Sequence, residues 1–228
     1  MPETTQLVID VISDVVCPWC FIGKRQLEQA LSRFAQTYPD LPTPIVRWHP
    51  FQLNPDIPQE GMARNAYLQA KFGAGDGGDV YQQVVEAAQA VDLPLNLAGI
   101  TVQPNTIRAH AVVSMTPESA QDSVVEDLFT GYFQRGLDLS EEATLIQIAR
   151  AGGIPEPSIE AAINDESVHQ TIRAADQSAR DLGVEAVPFF IFNHKVAVNG
   201  AAGPEALLQA AARVLSVGGE TDESGAPD

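Results

Sequence analysis

The chain has 228 residues, 45% of them hydrophobic, with a formal net charge of −17 at neutral pH and a pI near 4.4. That is enough apolar material for a core of ordinary size, and the charge argues against nucleic-acid backbones and anionic membrane surfaces as partners. No run of about 18 apolar residues is present, and the start "MPETTQLVID" has no basic segment leading into an apolar one, so the expectation is a cytoplasmic protein with no membrane span.

Residues 6–13, "QLVIDVIS", are rich in β-formers and partly alternate, which predicts a strand buried on at least one face. Both cysteines follow at once. After Pro18, the positions of Leu27, Leu31 and Phe34 have the period of an amphipathic helix running to about Thr37, where Pro39 and Pro42 break the chain. Residues 44–53, "PIVRWHPFQL", return to a strand pattern and complete a βαβ unit. From Ile57 to Gly183 the pattern is helical, with about six or seven helices and no strand evident. "FGAGDGGD", residues 72–79, reads as a surface loop within this region. Residues 187–199, "VPFFIFNHKVAVN", predict two short strands joined at Asn193, His194 and Lys195, and "GPEALLQAAARVLS" predicts a closing helix. The small acidic residues 217–228 lack apolar content and are expected to form a disordered tail.

The two cysteines, Cys17 and Cys20, sit where the first strand gives way to the first helix, with Pro18 suited to the first helical turn. A helix N-terminus stabilises an anion, so Cys17 is read as the exposed, attacking thiolate and Cys20, one turn further in, as the resolving thiol. Pro18 and Trp19 between them would tune access. The alternatives are half of a zinc site or two small buried hydrophobes. Zinc needs four ligands, no second cysteine pair exists, and His49, His110, His169 and His194 show no ligand spacing, so no metal is expected.

"DVVCPWCFIGKRQLEQAL", "WHPFQLNPDIPQEG", "NTIRAH", "LFTGYFQRGLDLS" and "GVEAVPFF", spread over residues 6–212, together resemble the DsbA-like thioredoxin-fold oxidoreductases of the FrnE type. These are related to the 2-hydroxychromene-2-carboxylate isomerases and the kappa-class glutathione transferases. The resemblance implies an α/β thioredoxin fold, βαβ then ββα, interrupted by a large all-helical insertion. The boundaries are then 1–56 for the first half, 57–183 for the insertion, 184–216 for the second half, and 217–228 for the tail. It also implies a cis peptide at Val187-Pro188 facing the cysteine pair, leaving backbone groups of Val187 for an extended substrate. The isomerases and transferases typically carry serine at the position of Cys17, where it positions a glutathione thiol. Both cysteines are kept here, which favours thiol-disulfide exchange, with a glutathione-dependent isomerase or transferase as the alternative.

The expected partners are protein or small-molecule thiols and disulfides, on a monomer or homodimer. No cofactor is expected beyond the redox pair, with glutathione a candidate co-substrate. His49 and His110 are candidates to assist proton transfer, and Asn54 and Asn105 to bind a peptide or glutathione, although Asn54-Pro55 is equally a turn and Asn105 a helix cap. Lys24 and Arg25 either offset local acidity or face solvent. The "NGAAGPEAL" segment departs from a "GAQ"-like turn common in the family, which puts substrate contacts there in doubt.

Overall fold

The computed structural model of the chain describes residues 6–73 and 78–217. A mixed four-stranded sheet carries the fold. Strand β1 (Val8–Ser13) pairs in parallel with β2 (Ile45–Pro50), and antiparallel with β5 (Phe189–Phe192), which pairs antiparallel with β6 (Val196–Asn199). The sheet order is therefore β2-β1-β5-β6. Helix α1 (Pro18–Thr37) makes the crossover from β1 to β2 and packs on the closing helix α9 (Pro204–Val217). Ile9 and Val11 of β1, Phe21, Leu27 and Phe34 of α1, and Phe190 and Phe192 of β5 are all buried in one core, as the periodicities predict.

Among the described residues, seven α-helices lie between β2 and β5: α2 (Arg64–Phe72), α3 (Gly78–Gln89), α4 (Ile107–Met115), α5 (Glu118–Phe133), α6 (Glu142–Ala151), α7 (Glu156–Ile163) and α8 (Glu166–Asp181). The architecture is thus a thioredoxin fold interrupted by a helical insertion. The insertion is not wholly helical, however. Met62–Ala63 (β3) and Val102–Gln103 (β4) form a two-stranded antiparallel ribbon, which corrects the expectation of no strand there. Two-residue strands defined only by pairing across about forty residues leave no period to read. Of the loop expected over 72–79, Phe72 ends α2, Gly73 caps it and Gly78 begins α3, while 74–77 lie outside the described residues, as does the tail from 218 on.

The β5–β6 turn places Asn193 and His194 at positive φ, and the Asn193 side chain accepts from Val8 N at 2.6 Å, hooking the hairpin to β1. Asp176 on α8 accepts from Gln52 N at 2.8 Å and from Arg180 Nε at 2.9 Å, while the Arg180 guanidinium lies over the Phe51 ring. These contacts fix the segment after β2, which carries Asn54, against the insertion.

Candidate active site

Chain direction sets the position of the cysteines. The end of β1 turns through Asp14, Val15 and Val16, with Cys17 N donating to Asp14 O at 3.0 Å, and α1 starts at Pro18 with Cys17 as its N-cap. Cys17 O accepts from Cys20 N at 3.1 Å and from Phe21 N at 3.3 Å, so the first turn of the helix wraps one cysteine over the other. Both are free thiols.

The Val187-Pro188 peptide is cis. It lies against the pair: Cys17 Sγ donates to Val187 O at 3.6 Å. On the other side Pro188 rests on α1 at Gly23, where a Cβ would sit 2.8 Å from Pro188 Cγ. Gly23 was not apparent from sequence, since a glycine inside a helix period signals nothing until its neighbour is known.

Cys17 is 4% exposed and Cys20 1%, so the expectation of an openly exposed Cys17 is corrected: it forms part of the wall of a narrow cleft. Burial, and then the neighbouring Cys17, push the Cys20 thiol well above the usual cysteine range, against which the Ser13 hydroxyl and the Asp14 backbone act in the opposite direction. Burial thus favours the protonated form of Cys20.

The cleft has a volume of about 280 Å³. Cys17, Trp19, Asn54 and Val187 line it together with Arg64 and Tyr67 from α2 and Tyr81 from α3. The Asn54 Nδ2 group is buried and makes no hydrogen bond within the protein, while Asn54 O accepts from Ile57 N at 3.3 Å. The turn reading therefore holds, and the side-chain amide nitrogen is left without a protein partner. Arg64 is buried and donates to Gln103 Oε1 and Tyr81 Oη, and Lys71 Nζ donates to Tyr67 Oη at 2.8 Å. Among the described residues neither cation has a carboxylate partner, so this strongly acidic chain presents two positive charges on partners that are themselves neutral. Burial holds the Tyr81 phenol above its usual range despite Arg64.

The other sequence candidates lie elsewhere. Asn105 accepts from Ile107 N at 3.0 Å and donates to Ile57 O at 2.6 Å, a cap and a loop clamp. His49 donates to Asp10 Oδ1 at 2.8 Å, and His110 is buried with Nε2 3.2 Å from Phe51 O; neither lines the cleft. Lys24 is 2% exposed and pairs with Glu28, Asp122 and Glu126, and Arg25 pairs with Glu28 and Glu126, so both offset local acidity. Asp14 is fully buried and accepts from Leu53 N at 2.8 Å, bracing the cysteine turn against the segment that carries Asn54. Ser13, Asp14, Arg64, Tyr67 and Lys71 were all missed from sequence. Only the adjacency of Ser13 and Asp14 to the cysteines offered a signal.

A thioredoxin fold with a C-x-x-C pair capping its first helix, opposite a cis-proline, defines a thiol-disulfide oxidoreductase scaffold. Residues 8–212 match the profile of the DSBA-like thioredoxin domain, and the chain belongs to that family. In sequence it is similar to YwbO of Bacillus subtilis, uncharacterized, at 25% identity over 89% of this chain and 94% of that protein. In fold it is similar to a probable DsbA oxidoreductase from Streptomyces coelicolor, at 22% identity and a TM-score of 0.81 over 98% of this chain and 94% of that one. A 2-hydroxychromene-2-carboxylate isomerase superposes with a TM-score of 0.66 at 15% identity, over 92% of this chain and 97% of that one. The cytosolic disulfide reductase DsbM from Pseudomonas aeruginosa, with GSH, superposes with a TM-score of 0.64 at 13% identity, over 92% and 99%. Among the described residues no helix is long and apolar enough to cross a membrane.

Proposed function

We propose that the protein exchanges thiols and disulfides through Cys17 and Cys20, with Cys17 attacking a substrate disulfide, forming a mixed disulfide, and Cys20 resolving it. The observation that carries this reading is the unequal placement of the two thiols: Cys17 lines the cleft against Val187 O, while Cys20 lies beneath it, pushed up by burial. A substrate sulfur entering the cleft meets Cys17 first. Once the mixed disulfide forms, the helical turn keeps Cys20 in position to attack it.

The cleft favours a small anionic or peptidic thiol or disulfide. Asn54 Nδ2 offers an unused donor, Arg64 and Lys71 offer positive charge, and Trp19 and Tyr67 offer ring faces. Glutathione has this chemistry and is the proposed co-substrate, with no resident cofactor. The isomerase or transferase reading is less well supported, because it needs the glutathione thiol, and not a protein dithiol, to do the chemistry.

The test is turnover of hydroxyethyl disulfide and of oxidised glutathione by the wild type, Cys17→Ser and Cys20→Ser. Loss of turnover in Cys17→Ser, with a stable mixed disulfide seen by mass spectrometry in Cys20→Ser, is expected. A wild type inactive in both reduction and dithiol oxidation, or a Cys17→Ser variant that turns over normally, would sink the proposal.

A further inference from the structure

The polar groups that line the cleft with Cys17 are mostly hydrogen-bond donors left with nothing to donate to. Arg64 is 8% exposed, and its guanidinium is held by neutral groups: it donates to Gln103 Oε1 and to Tyr81 Oη, and its Cζ lies 5.2 Å from the centroid of the Tyr67 ring and 5.7 Å from that of Tyr81. Gln103 Oε1 also accepts from Tyr132 Oη at 3.2 Å, so the acceptor that holds Arg64 is itself held. A guanidinium has more N–H donors than these two acceptors use.

Tyr81 receives its hydrogen bond on the oxygen, which leaves its own O–H to give, and it gives it to no group among the described residues. Burial holds that phenol above its usual range, so the O–H is present at neutral pH. Asn54 Nδ2, on the same lining, is buried and likewise unused. Acceptors are scarce there. Among the described residues the lining has one carboxylate, that of Glu185, which is exposed and pairs with neither Arg64 nor Lys71. A chain with 30 acidic residues and 13 basic ones thus leaves its buried cleft cation without a counter-charge. A charge taken out of water among neutral partners is costly, and a bound anion offsets that cost. A carboxylate is acceptor-only and fits a planar fork of N–H donors.

We propose that Arg64 and the Tyr81 hydroxyl form a receptor for a carboxylate of the substrate, so that the protein selects disulfides carrying a carboxylate on the half that Cys17 attacks. The receptor rests on the dithiol reading above and adds what decides between substrates. Cys17 and Arg64 line one cleft of about 280 Å³, so the carboxylate sits a short arm from the sulfur. Lys71 has a lesser part. It is exposed on a flexible stem where water and salt screen it, whereas Arg64 acts from a buried, fixed position.

The experiment compares two disulfides that differ only at the end of a two-carbon arm: 3,3′-dithiodipropionate, with a carboxylate, and hydroxyethyl disulfide, with a hydroxyl. Each is mixed with the reduced protein, and the rate constant for oxidation of the Cys17–Cys20 pair is read by mass after acid quench and alkylation. The ratio of the two constants is divided by the same ratio for dithiothreitol, which removes intrinsic reactivity. In the wild type the corrected ratio is expected to favour the dianion at least about tenfold, although the net charge of −17 repels it. Arg64→Gln should bring it to about one, and Tyr81→Phe, which keeps the ring, should lower it at least about threefold. A wild-type ratio near one or below overturns the receptor, as does an unchanged ratio in either variant, since a loss shared equally by both disulfides marks a packing role. If Arg64→Gln does not fold, the wild-type ratio and Tyr81→Phe decide. A wild-type pair oxidised by neither disulfide would instead overturn the dithiol reading itself.

Discussion

Gly23 on α1 and Pro188 before β5 touch directly: a Cβ on Gly23 would lie 2.8 Å from Pro188 Cγ and 3.2 Å from Phe190 Cζ. The helix that begins at the cysteines is therefore seated on the segment that faces them, with no side chain between. Gly23→Ala gains about 1 kcal/mol of helix propensity but drives a methyl into ring atoms packed on the core, which costs about 1–3 kcal/mol. The expected result is a net loss of stability in urea unfolding, together with slower reaction of Cys17 as Pro188 and Val187 are displaced. An equally stable variant with unchanged Cys17 reactivity would show that the contact relaxes freely.

The two thiols should separate chemically. Burial pushes Cys20 well up, and it faces the interior, whereas Cys17 borders the cleft. Limited iodoacetamide treatment of the reduced native protein near neutral pH should give one adduct, mapped to Cys17 by peptide analysis, with Cys20 modified only after unfolding. Equal modification of both residues in the native protein would contradict the asymmetry.

Cleft charge predicts selectivity. Removing Lys71, whose Nζ has only Tyr67 Oη as its polar partner among the described residues, should raise KM for oxidised glutathione by about two- to fivefold, as expected for an exposed charge. Neutral hydroxyethyl disulfide should be unaffected by Lys71→Ala, and the wild-type preference should shrink with added salt. A loss shared equally by the two substrates would point to a packing role for Lys71.

The join between α1 and α5 predicts a pH response. Burial pushes Glu126 up, but hydrogen bonds and charges from Arg25 and Lys24 outweigh it and hold the carboxyl below its usual range. Lys24 moves the other way: burial lowers it, but Asp122, Glu28 and Glu126 together raise it. A lowered carboxylate stabilises the fold above its unfolded value near 4.5 and loses that contribution as pH falls through the folded one. A raised ammonium stabilises below 10.5 and loses its contribution as pH rises through the folded value. Glu126→Gln should therefore flatten the acid limb of the stability profile below 4.5 and leave the neutral plateau lower. A variant with the wild-type acid limb would show that the cluster is not linked to folding.

Much of the scaffold was legible in the sequence because it is periodic. The β1 alternation, the Leu27 and Phe34 spacing on α1, and the polar turn between β5 and β6 each report their own local structure. The cysteine pair was legible because two residues at a fixed spacing suffice to define it. Arg64, Tyr67 and Tyr81 were not, because what brings them to Cys17 is the docking of α2 and α3, far along the chain and set by packing. Lys24 was ambiguous for a related reason. On an isolated helix it belongs to the second turn and could face solvent, and only α5 with Asp122 and Glu126 makes it an interior cation.

The cleft has walls of two origins. The turns bearing Cys17 and Val187 belong to the strands and α1, whereas Arg64, Tyr67 and Tyr81 belong to the inserted helices. On the proposed function, reactivity and substrate choice are encoded in separate stretches of the chain. Selection, or a protein engineer, can exchange α2 and α3 to redirect the enzyme to a different disulfide while inheriting the dithiol intact.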